Sequence, residues 1–162
     1  MRFGRKGNGA LEFVLLGIPS LFLTFSVVEM SLGMWQYHTL EEAAVAGARY
    51  VITHGADCSG TCGITVGNVV TKVVQTGVGL NPSQLAITLT STSGSTTYSP
   101  ASSYLSNSTA FPPTADSTAG NDITVTVAYT VSNPFAMFWP GAASIIEKNV
   151  NLQAVSRQRI VF

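Results

Sequence analysis

The sequence predicts an α+β fold in which a long N-terminal helix, apolar at first and amphipathic later, lies on a small antiparallel sheet. Three observations lead there. Residues 13–28 carry no charge, and helix-forming sequence continues beyond them to about residue 54. Two segments, 85–90 and 123–129, alternate apolar with small or polar residues, the period of half-buried strands. After the first 40 residues about 122 remain, enough for a single small core.

The helix is expected over about 10–54. Its uncharged run of 16 residues spans about 24 Å, short of a hydrocarbon core of roughly 30 Å; continuing to Leu32 gives twenty residues. Glu29 then falls near the outer interface, with Trp35 and Tyr37 in the aromatic belt. Arg2, Arg5 and Lys6 precede the run, and Glu41 and Glu42 follow it. The positive-inside bias therefore puts the N-terminus in the cytoplasm and residues 38–162 outside. Pro19 has no N–H for the carbonyl of Leu15, so a kink or loosened turn is expected there. Past the membrane, Tyr37, Leu40, Ala44, Val45 and Ala48 recur at spacings of three and four, an apolar stripe. Ala43, Ala44, Ala46, Gly47 and Ala48 leave a smooth face that lets a helix or sheet approach closely, within this subunit or from another.

Gly55 breaks the helix, and residues 56–63 form a loop with Cys58 and Cys62. The outside placement favours a disulfide between them, worth about 2 kcal/mol by loop closure before strain. Free thiols are the alternative. A metal site with His54 has only three visible ligands, and the glycine-rich segment does not hold them on one helix face. Residues 64–78, with Ile64, Val69, Val70, Val73 and Val74, read as a β-branched amphipathic helix, with a strand as the lesser alternative. Leu85, Ile87 and Leu89 define one strand and Ile123, Val125, Val127 and Tyr129 a second; Val150, Leu152 and Ala154 suggest a third. Between the first two, residues 90–119 hold 16 Ser or Thr among 30, broken by Pro100, Pro112 and Pro113. That composition reads as a long flexible loop over about 90–120, either a displayed surface or an unselected insertion. Residues 135–139, F-A-M-F-W between two prolines, form a dense apolar patch, core or contact.

Only 10% of residues are charged against 46% hydrophobic, which suits a chain partly in lipid or buried in an assembly. The formal charge is zero, so a nucleic-acid partner has no electrostatic footprint. Neither a phosphate-binding Gly-rich loop nor a Gly-x-Ser-x-Gly elbow occurs, and His38 and His54 lack a neighbouring nucleophile. No enzymatic activity, cofactor or metal is expected.

The most specific signal is Glu12. A carboxylate entering hydrocarbon costs roughly 2.5 kcal/mol or more and is expected to have a partner or a role. Gly7 lies five residues upstream, and a small residue followed by Glu at the fifth place and an apolar helix resembles the processing site of type IV prepilins. Residues 35–50, W-Q-Y-H-T-L-E-E-A-A-V-A-G-A-R-Y, resemble the post-membrane helix of TadE-like pseudopilins. D-I-T-V-T-V-A-Y-T-V at 122–131 and V-N-L-Q-A-V-S-R at 150–157 are similar to the way that family ends. The likeness is strongest over 5–50, weaker over 122–159, and absent from 55–121.

The resemblance implies a pilin-like fold with a leader peptide at 1–7, a transmembrane and assembly helix at 8–36, and a periplasmic α+β domain at 37–162. It implies a membrane-anchored pseudopilin, or minor pilin, of a tight-adherence (Flp) type IV pilus or secretion system. A prepilin peptidase would cut between Gly7 and Asn8, and Glu12 would neutralise the freed Asn8 amine of an adjacent subunit. Partners would be membrane lipid, that peptidase, other pilins and pseudopilins, and the pilus assembly platform. The place is the bacterial inner membrane in a single pass, with incorporation in a pilus. Losing residues 1–7 removes three of eight cations and leaves five against eight acidic side chains. Two other N-termini compete. A Sec signal cut near Ser31-Leu32-Gly33 would leave Met34, against which stand Glu12 and an apolar run longer than the usual 7 to 15 residues. An uncut anchor would keep Met1. In either case the chain would be a secreted or anchored binding domain, contacting a surface through the Ser/Thr-rich segment without forming a filament.

Alkylation of protein taken from cells, followed by intact mass, should find Cys58 and Cys62 unlabelled until reduced. Two freely labelled thiols would contradict the pairing.

Overall fold

The computed structural model of the chain describes residues 8–54, 64–132 and 149–160. Gly7, Cys58, Cys62 and the apolar patch at 135–139 lie outside them. The chain divides into two compact units, Met1–Trp35 and Gln36–Phe162, and helix α1 (Asn8–His54) contributes to both.

In the first unit α1 runs as one assigned helix through Pro19. Its apolar side chains are exposed; Phe13 and Leu16 each keep 73% of their surface. The hydroxyls of Thr24, Ser26 and Ser31 donate to the carbonyls four residues back at 2.8–2.9 Å. These hydroxyls are thereby satisfied within the helix.

In the second unit α1 buries Leu40, Ala43, Ala44, Gly47, Ala48 and Val51, a regular 3–4 stripe. Leu40, Ala44 and Ala48 fall where the spacing predicts, whereas Tyr37 is exposed and Val45 only half-buried. The contact line is narrow because its centre is glycine. A Cβ on Gly47 would lie 2.6 Å from Val73 Cγ2 and 3.5 Å from Val125 Cγ1. Val73 belongs to α2 (Val66–Thr76), which buries Val66, Val69, Val70 and Val73. The helical expectation for 64–78 therefore holds, and a strand does not form. β-Branched residues are indifferent helix formers, so this helix is held by its buried face and by its cap. Thr65 Oγ1 accepts from the Asn68 N–H at 3.3 Å, and the N–H groups of Val66 and Gly67 donate to Thr109 and Asn107 carbonyls at 2.8 and 2.9 Å. Gly67 permits that approach: a Cβ there would stand 2.6 Å from the Leu105 carbonyl oxygen.

Four antiparallel strands form one sheet in the order β2-β1-β3-β4: β1 (Leu85–Ser91), β2 (Gly94–Tyr98), β3 (Asp122–Ser132) and β4 (Asn149–Arg159). Leu85, Ile87 and Leu89, with Ile123, Val125, Val127 and Tyr129, bury the face that the alternation predicts. The suggested third strand is β4, and it is longer than its apolar residues indicate. Val150 is 42% exposed, while Ala154 and Ser156 are buried. At the far end Arg157 and Arg159 both bind the Asp122 carboxylate, at 2.6 and 3.0 Å, which holds that carboxyl below its ordinary range. The α+β architecture is thus a long N-terminal helix packed on a small antiparallel sheet.

Residues 90–120 are not the unstructured flap that their composition suggests. They contain β2 and two 3₁₀ turns, Ala101–Tyr104 and Thr114–Asp116. Ala101 and Phe111 are buried, and Tyr98 meets Tyr104 edge-on at 5.2 Å. On the sheet's outer face the hydroxyls of Thr88 and Thr97, and of Thr90 and Ser95, bond across strands at 2.9 Å. The β1–β2 loop is only Thr92 and Ser93, and no non-glycine residue among those described has a positive φ. The turn therefore lacks the left-handed Asn-Gly chemistry by which two-residue hairpins are read from sequence. A distant carboxylate replaces it: Asp116, 4% exposed, accepts from Ser93 N–H at 2.8 Å and Ser93 Oγ at 2.7 Å. Hydrogen bonds from Ser91 and Ser93 hold its carboxyl below the usual carboxylate range.

Gly47→Val should destabilise the full chain in detergent by about 1–3 kcal/mol through overlap with Val73. Adding Val73→Ala should recover part of that loss, so that urea unfolding gives less than the sum of the two single effects. Asp116, with its folded pKa depressed, contributes stability that is complete above its unfolded value of about 3.9 and is lost as pH falls through the folded value. Acid unfolding of Asp116→Asn should accordingly be shallower below about pH 4 than that of the parent. A limb due to Asp122 should remain, since its shift has the same sign.

Candidate functional site

The sequence signals for function converge on α1. Asn8 is its first residue, and Glu12 stands one turn further on, exposed among apolar neighbours, with no hydrogen bond or ion pair among the described residues. At a separation of four residues, position 12 lies on the same helix face as position 8. Among the described residues one helix, covering 9–54, is long and apolar enough to cross a membrane, and none of its most apolar window is buried. An exposed apolar window of this length is compatible with anchoring in a membrane.

At the end of the apolar stretch the side chains become amphipathic. Trp35 and Tyr37 remain 49% and 38% exposed. A hydrogen bond from Tyr37 to Glu41, together with that residue's charge, raises the phenol pKa, and Glu41 also lies 3.6 Å from His38 Nδ1. Further along the helix Tyr50 stacks on His54 at 4.5 Å, and the His54 ring contacts Thr53 Oγ1 at 2.8 Å. Of the residues considered for a metal, only His54 is described, and its ring is engaged in these contacts. Neither histidine has a serine or cysteine nucleophile beside it among the described residues.

Between these two clusters the outward face of α1 forms an open groove of about 800 Å³. Its floor is Val45 and Ala46; Glu41 and Glu42 border one end, and Arg49, His54 and Lys72 of α2 the other. The charge pattern of this groove is legible in the sequence only as residues seven apart on one helix face, and the contribution of Lys72 from a separate helix is not legible there at all.

Residues 7–49 match the TadE-like protein family. The match begins at Gly7, takes in Asn8 and Glu12, follows the apolar stretch, and ends at Arg49. It covers less than half of the chain; α2 and all four strands lie beyond it. No curated protein and no solved structure matches the chain. The matched segment thus contains the residues singled out for processing and assembly and, of the groove's border, Glu41, Glu42 and Arg49, while Tyr50, Thr53 and His54 of α1 lie beyond it.

Proposed function

We propose that this chain is a membrane-anchored pseudopilin, a minor pilin, that takes part in assembling a tight-adherence type IV pilus or secretion system. The observation that carries it is the TadE-like match starting at Gly7 and running through Glu12 along an apolar helix with no burial of its own. A plain anchor has no use for a carboxylate at position 12, which costs roughly 2.5 kcal/mol or more in hydrocarbon. An assembling helix does. A prepilin peptidase at the cytoplasmic face hydrolyses the Gly7–Asn8 amide, and the freed Asn8 amine is protonated. Glu12 of a neighbouring subunit then neutralises it, so two charges that are each costly alone enter the apolar packing together.

In this scheme residues 8–36 serve twice, as anchor in lipid and as the packing element between subunits. The C-terminal α+β domain faces the periplasm of a bacterial inner membrane in a single-pass arrangement. Its partners are lipid, the peptidase, other pilins and pseudopilins, and the assembly platform.

Glu12→Ala should leave membrane insertion intact or improved, yet abolish or weaken co-purification with partner pilins. Gly7→Leu should block processing, since a pocket shaped for glycine has no room for a branched side chain. Sequencing the mature N-terminus discriminates the readings: Asn8 supports this one, Met34 a secreted binding module, Met1 an uncut anchor. Normal assembly of Glu12→Ala together with normal processing of Gly7→Leu would remove the proposal's basis.

A further inference from the structure

We infer that the outward face of α1 beyond the apolar stretch is a head-to-tail contact for a second copy of this chain, in which Glu42 of one copy meets Arg49 of the next. The inference rests on the assembly role proposed above and specifies one contact within it. Glu42, Arg49 and Lys72 are exposed, and their side chains have no hydrogen bond or ion pair among the described residues. Glu42 and Arg49 are seven residues apart, about 20° short of two full turns and about 10.5 Å along the axis. They therefore lie on one stripe. The floor between them, Val45 and Ala46, is small, and the groove of about 800 Å³ leaves space beside it.

The self-complementarity of this stripe depends on how two copies are placed. Antiparallel copies would match acid to base and close into a dimer, but chains anchored in one membrane with the same orientation do not align antiparallel. Parallel copies in register set Glu42 against Glu42 and Arg49 against Arg49, which is repulsive. A parallel copy shifted by about 10.5 Å, two turns, sets Glu42 of one against Arg49 of the other. Glu41 at the acidic end and Lys72 at the basic end reinforce the same shift. Each pairing leaves one acidic and one basic end free, so the contact is heterologous and does not close on itself. Copies at equal depth in the membrane oppose like with like. Pairing follows only when one copy is raised, which assigns the contact to the assembled state rather than to the membrane pool.

The test uses the full-length chain in its own cells, carrying two different tags, with co-purification of the tagged copies from the assembled fraction as the measurement. Arg49→Glu and Glu42→Arg should each reduce it about tenfold, the loss expected when one attractive pair becomes repulsive. Placing both substitutions on one chain should restore it, as should co-expressing the two single variants, because each again offers acid to base. Unchanged recovery in the single variants, or failure of both restorations, would overturn the inference. So would wild-type copies that never co-purify. Other pilus subunits are scored in the same eluate: their recovery keeps the assembly role standing when this contact fails, and their absence from wild type counts against that role itself.

Discussion

The missing side chain at Gly47 sets the distances on which the second unit depends. A Cβ there would lie only 2.6 Å from Val73 Cγ2 of α2 and 3.5 Å from Val125 Cγ1 of β3, so the space between α1 and both neighbours is already filled. Leu40, Ala43, Ala44, Ala48 and Val51 extend that line of contact along α1, and the small residues among them keep the gap narrow. Close packing turns small volumes into a strict constraint, because a filled interior has nowhere to put an added methyl group. α2 depends on it most. Its valines gain little from helix propensity, so burial against α1 and the sheet, with the cap from Thr65 and the carbonyls of Asn107 and Thr109, accounts for its formation.

One helix thus meets two different surroundings. Up to Trp35 its apolar side chains are exposed and its hydroxyls are bonded to its own carbonyls; from Leu40 it buries a narrow stripe and shows charge on the opposite face. The apolar side chains up to Trp35 are mostly exposed, and the charged part carries Glu42 and Arg49 two turns apart with no ion pair between them among the described residues.

The Ser/Thr-rich stretch shows how order arises without hydrophobic patterning. Hydroxyl pairs across β1 and β2, the tyrosine pair between β2 and the first 3₁₀ turn, and the buried Asp116 at the hairpin tip replace apolar alternation with satisfied polar contacts. Low charge density helps, since little repulsion opposes folding the segment onto the sheet edge. Each of these contacts is cheap to lose in water and firm once its neighbours exclude water.

The sequence by itself determined the elements whose signal is periodic and local: the long helix from the apolar run and the Leu40–Ala44–Ala48 spacing, and β1 and β3 from strict alternation. Helix and strand periods are fixed by backbone geometry and leave their imprint on consecutive residues. Tertiary structure alone decided what depends on residues far apart. Asp116 lies 23 positions from Ser93, Arg159 lies 37 from Asp122, and Lys72 joins the α1 groove from another helix. β2 has no apolar alternation because it is an edge with both faces poorly covered, so its pairing with β1 is specified by the partner strand and by Asp116 rather than by its own residues. Ser156 is buried for the same reason: its position opposite Val125 in the register, not its chemistry, places it inside.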